Sequence, residues 1–255
     1  MPELELADAT IHYRSAGAGR PLVFLHGVGS SSHTWQGQLA RFSSGHLCVA
    51  PDMRGYAGSK TDPATISMRR FAADVAALIE HLGSGPAAVC GLSMGGIVAL
   101  NLWRDRPDLV RSLVLADTWA NHAAAAASHA ERMAAIDAGT MPELARIRMP
   151  GVYAPGADPE LVERGVAAFA ALDKAAYRAA SYDLWPQDLR EVARTIRVPA
   201  LVIVGEHDTT TPPPLSEELA ALIPGARLVV IPGAAHLTNE ENPAAFDAAL
   251  EGFLG

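Results

Sequence analysis

The stretch Val89-Cys90-Gly91-Leu92-Ser93-Met94-Gly95-Gly96-Ile97 constrains this chain more than any other. Ala87 to Cys90 is a short apolar run after Gly85-Pro86 and reads as a buried strand, while Ile97 to Trp103 reads as a helix. A strand that turns straight into a helix leaves no space for side chains two residues before and two after the apex. Gly91 and Gly95 remove that collision. The spacing Gly-x-Ser-x-Gly therefore predicts a nucleophile elbow, with the Ser93 hydroxyl exposed at the tip of a strained turn. The N–H groups that follow open a helix and favour negative charge in the same space.

A serine hydroxyl is a weak nucleophile near neutral pH. It needs a base within hydrogen-bond reach, and the base needs a group that orients it. In an open α/β sheet such groups sit in loops at the carboxyl ends of strands. Asp208 follows the apolar run Ala200–Val204, and His236 follows Arg227–Ile231. The chain order Ser93, Asp208, His236 is the one expected behind such an elbow. Asp117 also ends an apolar run, Arg111–Ala116, and competes with Asp208 for the acid position. His207 precedes the acid and is expected to face solvent, and His12, His46, His81, His122 and His129 have no comparable placement. An oxyanion hole needs two N–H donors aimed at the tetrahedral oxygen. Met94 N–H, just after the nucleophile, is one.

Strands alternate with helices on either side of this stretch, which predicts a mostly parallel sheet covered by helices on both faces. Leu4–Ala7 and Ile11–Ala16 read as an opening hairpin turning at Asp8-Ala9-Thr10. Leu22–Leu25 and Leu47–Ala50 read as buried strands, and Ser67 is placed to cap a helix running to Leu82. From Thr118 to about Arg197 strand-like runs disappear. His122–Ala138 is alanine-rich and helical, and interruptions fall at Pro142, Pro150-Gly151, Pro155-Gly156 and Pro186. The expected organisation is a core of residues 1–117 and 199–255 with an inserted helical cap, 118–198.

Composition narrows the function. A net charge of −8 argues against nucleic acid or an anionic membrane as partner. No apolar run reaches the ~20 residues of a membrane span, and the acidic start Met1-Pro2-Glu3-Leu4-Glu5 lacks the pattern of a signal peptide. The two cysteines, Cys48 and Cys90, sit in apolar runs and read as free buried thiols, which suits a cytoplasmic location. No His-x-x-x-His with a helical acid suggests a metal, and no Gly-x-Gly-x-x-Gly follows the first parallel strand, so neither a metal nor a dinucleotide cofactor is expected.

Taken together, these marks resemble the α/β-hydrolase superfamily along essentially the whole chain. They are His26-Gly27 after the third strand, Asp52-x-Arg54-Gly55-x-x-Gly58-x-Ser59 after the fourth, the elbow, Asp208 and His236. The resemblance implies an eight-stranded, mostly parallel core in the order 1-2-4-3-5-6-7-8, which sets Cys48 and Cys90 on strands separated by a third. It also implies that Val28 N–H is the second oxyanion donor. Asp52 to Ser59 read as a structural turn. The sequence is most similar to 3-oxoadipate enol-lactonases at Gly91–Gly96, Asp188-Leu189-Arg190, Thr211-Pro212-Pro213, Ile223–Arg227 and Ala234-Ala235-His236-Leu237-x-Asn239. It departs from them at the oxyanion loop, where His26-Gly27-Val28-Gly29 replaces their usual Asn-Ser-Leu-Gly. The resemblance implies hydrolysis of a small carboxylic ester or lactone, with a C–C bond hydrolase of ring-cleavage products as runner-up and a non-catalytic binding protein as the alternative of another class. Serine at the elbow disfavours a dehalogenase. Trp119, Tyr153, Tyr182 and Trp185 are the candidates for the pocket lining, and Arg146, Arg148 and Arg178 are either solvated or placed to bind a substrate carboxylate. Oligomeric state is left open.

Overall fold

A computed structural model describes residues 2–255. Nine strands form the sheet: β1 (Glu3–Glu5), β2 (Ala9–Ala16), β3 (Pro21–Leu25), β4 (Leu47–Pro51), β5 (Lys60–Thr61), β6 (Ala87–Leu92), β7 (Val110–Ala116), β8 (Ala200–Gly205) and β9 (Arg227–Ile231). The order along the sheet is β1-β2-β4-β3-β6-β7-β8-β9. With the two-residue β5 set aside, this is the expected order. β1, β2 and β5 pair antiparallel, and every pair from β4 to β9 is parallel. β5 was not anticipated; it pairs Ala9 and Thr10 of β2 on the edge opposite β1. The opening hairpin also turns earlier than expected. Leu6 N–H closes on Ala9 O at 2.8 Å, so Ala9 and Thr10 belong to β2.

The central strands are buried on both faces because alternate residues feed two separate cores. Val23, Leu25, Val89, Leu113 and Val202 pack with Phe71, Leu78, Ile97 and Leu219 of helices Met68–Leu82, Met94–Asp105 and Pro213–Leu222. Leu22, Phe24, Cys90, Val114 and Ile203 pack on the other face with Leu39, Phe246 and Leu250, from helices Gln36–Phe42 and Pro243–Leu254. Cys48 and Cys90 are buried and free, with β3 between their strands. Ser67 caps the helix Met68–Leu82 as expected, accepting from Arg70 N–H. No helix among the described residues is long and apolar enough to cross a membrane.

Between β7 and β8 the described residues form six helices, Ala123–Ala127, His129–Ala138, Met141–Arg148, Pro159–Ala170, Lys174–Leu184 and Arg190–Arg194. The two ends of this stretch meet where Leu189 N–H donates to Ala120 O at 2.8 Å. It carries its own apolar cluster, including Met133, Ile136, Leu144, Met149, Phe169 and Tyr177. Two local details refine the expected pattern. The run His122–Ala138 is helical, as two helices that part at Ser128, whose Oγ donates to Ala124 O and Ala125 O. Pro142 does not interrupt a helix but starts one, where its missing N–H costs nothing and Thr140 and Glu143 close a capping box.

Candidate active site

β6 runs into the helix Met94–Asp105 with a single residue between them. Ser93 takes φ 54° and ψ −117°, a conformation that costs a non-glycine residue energy. The glycines around it are dictated by close approach. A Cβ on Gly91 would overlap the Gly95 backbone, and one on Gly95 would overlap the Leu25 carbonyl of β3. The turn is tied to the end of β7, since Ser93 N–H donates to Ala116 O at 2.8 Å and Thr118 Oγ1 donates to Ser93 O at 2.9 Å.

The loops after β8 and β9 bring Asp208 and His236 to the same place. His236 Nε2 lies 3.0 Å from Ser93 Oγ, and Nδ1 lies 2.8 Å from Asp208 Oδ2. Gly205 makes this possible, because a Cβ there would overlap the Ala235 carbonyl. Asp208 is held from its other side as well. Oδ1 accepts from Thr210 N–H at 2.8 Å and Thr211 N–H at 2.9 Å, and Oδ2 accepts from Thr211 Oγ1 at 2.7 Å. Burial pushes the Asp208 carboxyl up, but the His236 charge and hydrogen bond and the Thr211 donors outweigh it, so its pKa is lowered. Burial likewise depresses the imidazole, yet Asp208 overrides it and the His236 pKa is raised above its ordinary value.

Asp117, the competing acid, is placed elsewhere. It sits at φ 48° under the site, accepts from Gly205 N–H at 2.9 Å and Thr238 Oγ1 at 2.5 Å, and makes no hydrogen bond to His236. Burial and the neighbouring Asp208 charge push its pKa well up. His207 lies on the surface beside Glu206, as expected.

Val28 and Met94 flank the serine, and neither N–H has a protein acceptor among the described residues. His26 sets the loop that carries Val28: its Nδ1 lies 2.8 Å from Gly27 O, while its Nε2 accepts from Met53 N–H at 3.0 Å. Those partners fix the neutral tautomer with the proton on Nδ1, and burial lowers its pKa accordingly. Behind it, Asp52 accepts from Ser32 N–H and Gly58 N–H, and Arg54 is 1% exposed against Asp74 and Asp8. The segment Asp52–Ser59 is a brace, as its sequence suggested.

Ser93 and His236 open into a cavity of about 1110 Å³ roofed by the helices between β7 and β8. Of the four aromatic residues singled out from sequence, Tyr153 and Trp185 line it. Trp119 is fully buried behind Trp185, stacked at 5.4 Å and 2° between planes. Tyr182 is 58% exposed and packs edge-on against His129, away from the cavity. The helix Lys174–Leu184 turns Tyr177 inward instead, and five residues on a helix separate the two faces by about 140°. Arg148 lines the cavity; Arg146 is exposed, and Arg178 is paired with Asp137 on the surface. Sequence reasoning missed Thr211, Arg132, Tyr177 and His122. Thr211 lay inside the noted Thr-Pro-Pro motif, but nothing in that motif signals a second donor to the acid. Among the described residues no cluster of His, Cys, Asp or Glu is arranged to hold a metal ion.

The roof and the histidine loop are bonded to each other. His236 N–H donates to Val152 O at 3.0 Å. Glu241 accepts from Ala154 N–H at 2.7 Å on one side, and from Ala235 N–H at 3.0 Å and Leu237 N–H at 3.2 Å on the other.

Comparison with known proteins agrees with this architecture. The chain is 30% identical over 256 residues to 3-oxoadipate enol-lactonase 2 of Acinetobacter baylyi, covering 98% of this chain and 95% of that protein. A crystal structure of a hydrolase from Pseudomonas aeruginosa matches with a TM-score of 0.92 at 34% identity, over 100% of this chain and 98% of the other. A thermophilic esterase from Thermogutta terrifontis, solved with malate bound, matches with a TM-score of 0.93 at 26% identity over the same shares. The model of the alpha/beta hydrolase family matches residues 22–249, and on that span the chain belongs to the alpha/beta hydrolase family.

Proposed function

We propose that this protein is a serine hydrolase that cleaves a small carboxylic ester or lactone through an acyl-enzyme. Ser93 is the nucleophile, His236 the general base and acid, and Asp208 the group that orients the imidazole. The observation that carries this is the buried relay Ser93 Oγ–His236 Nε2 at 3.0 Å and His236 Nδ1–Asp208 Oδ2 at 2.8 Å. In that relay Nδ1–H donates to Asp208, which leaves Nε2 free to accept the serine proton. Ser93 Oγ then bonds to the carbonyl carbon, and the oxygen that becomes negative is received by the free N–H groups of Val28 and Met94. Collapse breaks the ester bond, and the imidazolium gives its proton to the leaving oxygen. Water repeats the sequence on the acyl group, with His236 again taking the proton, and releases the acid.

In this reading residues 118–198 act as a cap on a core made of 1–117 and 199–255, and Tyr153 and Trp185 contribute to the substrate pocket. Likeness to the Acinetobacter enol-lactonase supports an enol-lactone as the specific substrate. The test is covalent labelling with an organophosphate ester. Ser93 is expected to take up one phosphoryl group, and folded Ser93→Ala is expected to take up none and to lose kcat by several orders of magnitude. Near-wild-type turnover by folded Ser93→Ala would remove Ser93 from the mechanism.

A further inference from the structure

The loops that carry Ser93, Asp208 and His236 are all fastened to one short stretch, Ala116-Asp117-Thr118, where β7 ends. The nucleophile's turn is held twice. Ser93 N–H donates to Ala116 O at 2.8 Å, and Thr118 Oγ1 donates to Ser93 O at 2.9 Å. The other two loops meet on the Asp117 carboxyl group. Its Oδ1 accepts at 2.9 Å from the N–H of Gly205, just upstream of Asp208. Its Oδ2 accepts at 2.5 Å from the Oγ1 of Thr238, just downstream of His236. The acid and base loops also bond to each other, with His207 N–H donating to Ala234 O at 2.9 Å. The end of β7 joins that pair to the nucleophile's turn.

Nothing in the relay itself calls for a second acid here. Asp117 is 0% exposed and sits at φ 48°. Asp and Asn adopt that left-handed backbone more readily than most residues, but a buried carboxyl costs free energy unless its oxygens are bonded. Burial and the Asp208 charge push the Asp117 pKa well up, which disfavours the ionised form. An acid that does not bond the imidazole, yet accepts from the loops on either side of it, supplies geometry. The geometry matters because Ser93 Oγ–His236 Nε2 at 3.0 Å and His236 Nδ1–Asp208 Oδ2 at 2.8 Å leave little slack.

We infer that Asp117 is a positioning residue for the relay: its two oxygens hold the acid loop and the base loop in register over the nucleophile's turn, and it acts through hydrogen bonds rather than through charge. This rests on the hydrolase reading above and adds a residue to it. An amide can fill the same place. Its oxygen would face Gly205 N–H, which can only donate, and its NH₂ would face Thr238 Oγ1, which can also accept. Glycine suits φ 48° but leaves both partners unbonded.

The experiment measures Asp117→Gly, Asp117→Asn, Thr238→Val and the Asp117→Gly/Thr238→Val double variant on one ester, with folding checked by circular dichroism. In Asp117→Gly kcat is expected to fall about 10- to 100-fold with KM little changed, since the relay shifts and the cavity does not. Thr238→Val, which keeps shape and removes one bond, should lose about 5- to 10-fold in kcat. The double variant should lose little beyond Asp117→Gly, because both changes remove the same bond. Asp117→Asn should lose no more than about 5-fold and leave the acid limb of kcat/KM in place. A second readout needs no substrate: the Nδ1–H signal of the His236 ring in ¹⁵N-edited NMR should broaden in Asp117→Gly and persist in Asp117→Asn. Should Asp117→Gly not fold, kcat of Thr238→Val decides. Full kcat in the folded Gly and Val variants, even with a lower urea midpoint, overturns the positioning role and leaves the hydrolase reading standing. So does an Asn variant as impaired as Gly with its acid limb displaced, which would show that the charge acts. The expected NMR pattern, in a protein that hydrolyses no ester and is not labelled at Ser93, upholds the positioning role and overturns the hydrolase reading.

Discussion

Asp208→Asn tests the relay at its most informative point, because the structure dictates how the new amide must sit. Oδ1 of Asp208 accepts from two backbone N–H groups, those of Thr210 and Thr211. An NH₂ group at that position would face two donors. The amide oxygen of Asn is therefore forced to the Oδ1 side, and the NH₂ is forced toward His236 Nδ1. It then donates where the carboxylate accepted, so Nδ1 must carry the lone pair and Nε2 the proton. An imidazole protonated on Nε2 cannot take the proton of Ser93. The expected loss in kcat is on the order of 10⁴-fold, or about 5.4 kcal/mol of barrier. A consequence separates this account from simple loss of charge. Asp208→Ala imposes no tautomer, so Asn is expected to be at least as damaging as Ala despite its closer shape. Asp117→Asn, measured beside them on the same ester with folding checked by circular dichroism, should lose far less, since Asp117 bonds Gly205 and Thr238 and not the imidazole. If Asp117→Asn is the dead enzyme and Asp208→Asn the active one, the acid is on the wrong strand and the reasoning fails.

The acid limb of kcat/KM should have its midpoint above the ordinary histidine value of 6.5, because the His236 pKa is raised and the protonated ring persists to higher pH; a profile flat from about pH 5 to 8 with chemistry limiting counts against His236 as base. In the residual activity of Asp208→Asn that midpoint should move down, since burial remains and the compensating carboxylate is gone. Gly95→Ala should cost roughly 1–3 kcal/mol in urea unfolding as well as activity, because its Cβ meets the Leu25 carbonyl and the helix must shift; an unchanged midpoint would show that the elbow has slack. Arg54→Ala removes the partner that bonds Asp74 at 2.7 and 2.6 Å and strands a buried carboxylate, at about 3–5 kcal/mol. The Asp74 pKa is already raised by burial, so this loss should be largest near neutral pH and shrink in acid as Asp74 takes up a proton; equal losses at both would refute it.

The sheet and the meeting of Ser93, His236 and Asp208 were legible because their signals are local. β3, β6 and β8 are buried on both faces and read as continuous apolar runs, and Gly91 and Gly95 mark a backbone clash that any sequence must avoid. Asp208 is favoured over Asp117 by its match to the superfamily's acid position; in the structure its Oδ2 lies 2.8 Å from His236 Nδ1, while Asp117 bonds Gly205 and Thr238. The cavity wall was much less legible. Tyr177 and Tyr182 have the same chemistry five residues apart, and which one faces inward depends on how the helix Lys174–Leu184 docks, with Ala176 against Gly55 and Asp183 accepting from Met68 N–H. Arg132 carries no motif. Its place over the Trp185 ring becomes visible only in three dimensions.

The bonds between the roof and the histidine loop bear on how this scaffold can be re-engineered. With ends that meet at Ala120 and Leu189, the segment between β7 and β8 invites transplantation from one relative to another as a cassette. Yet Val152 holds the His236 amide, and Ala154 shares Glu241 with Ala235 and Leu237. A foreign cassette that offers no carbonyl at the Val152 position would leave the base loosely hung, and turnover would drop for every substrate alike. Chimeras should therefore be cut so that Gly151–Ala154 travels with the recipient, matched to its own Glu241, while the helices on either side are exchanged.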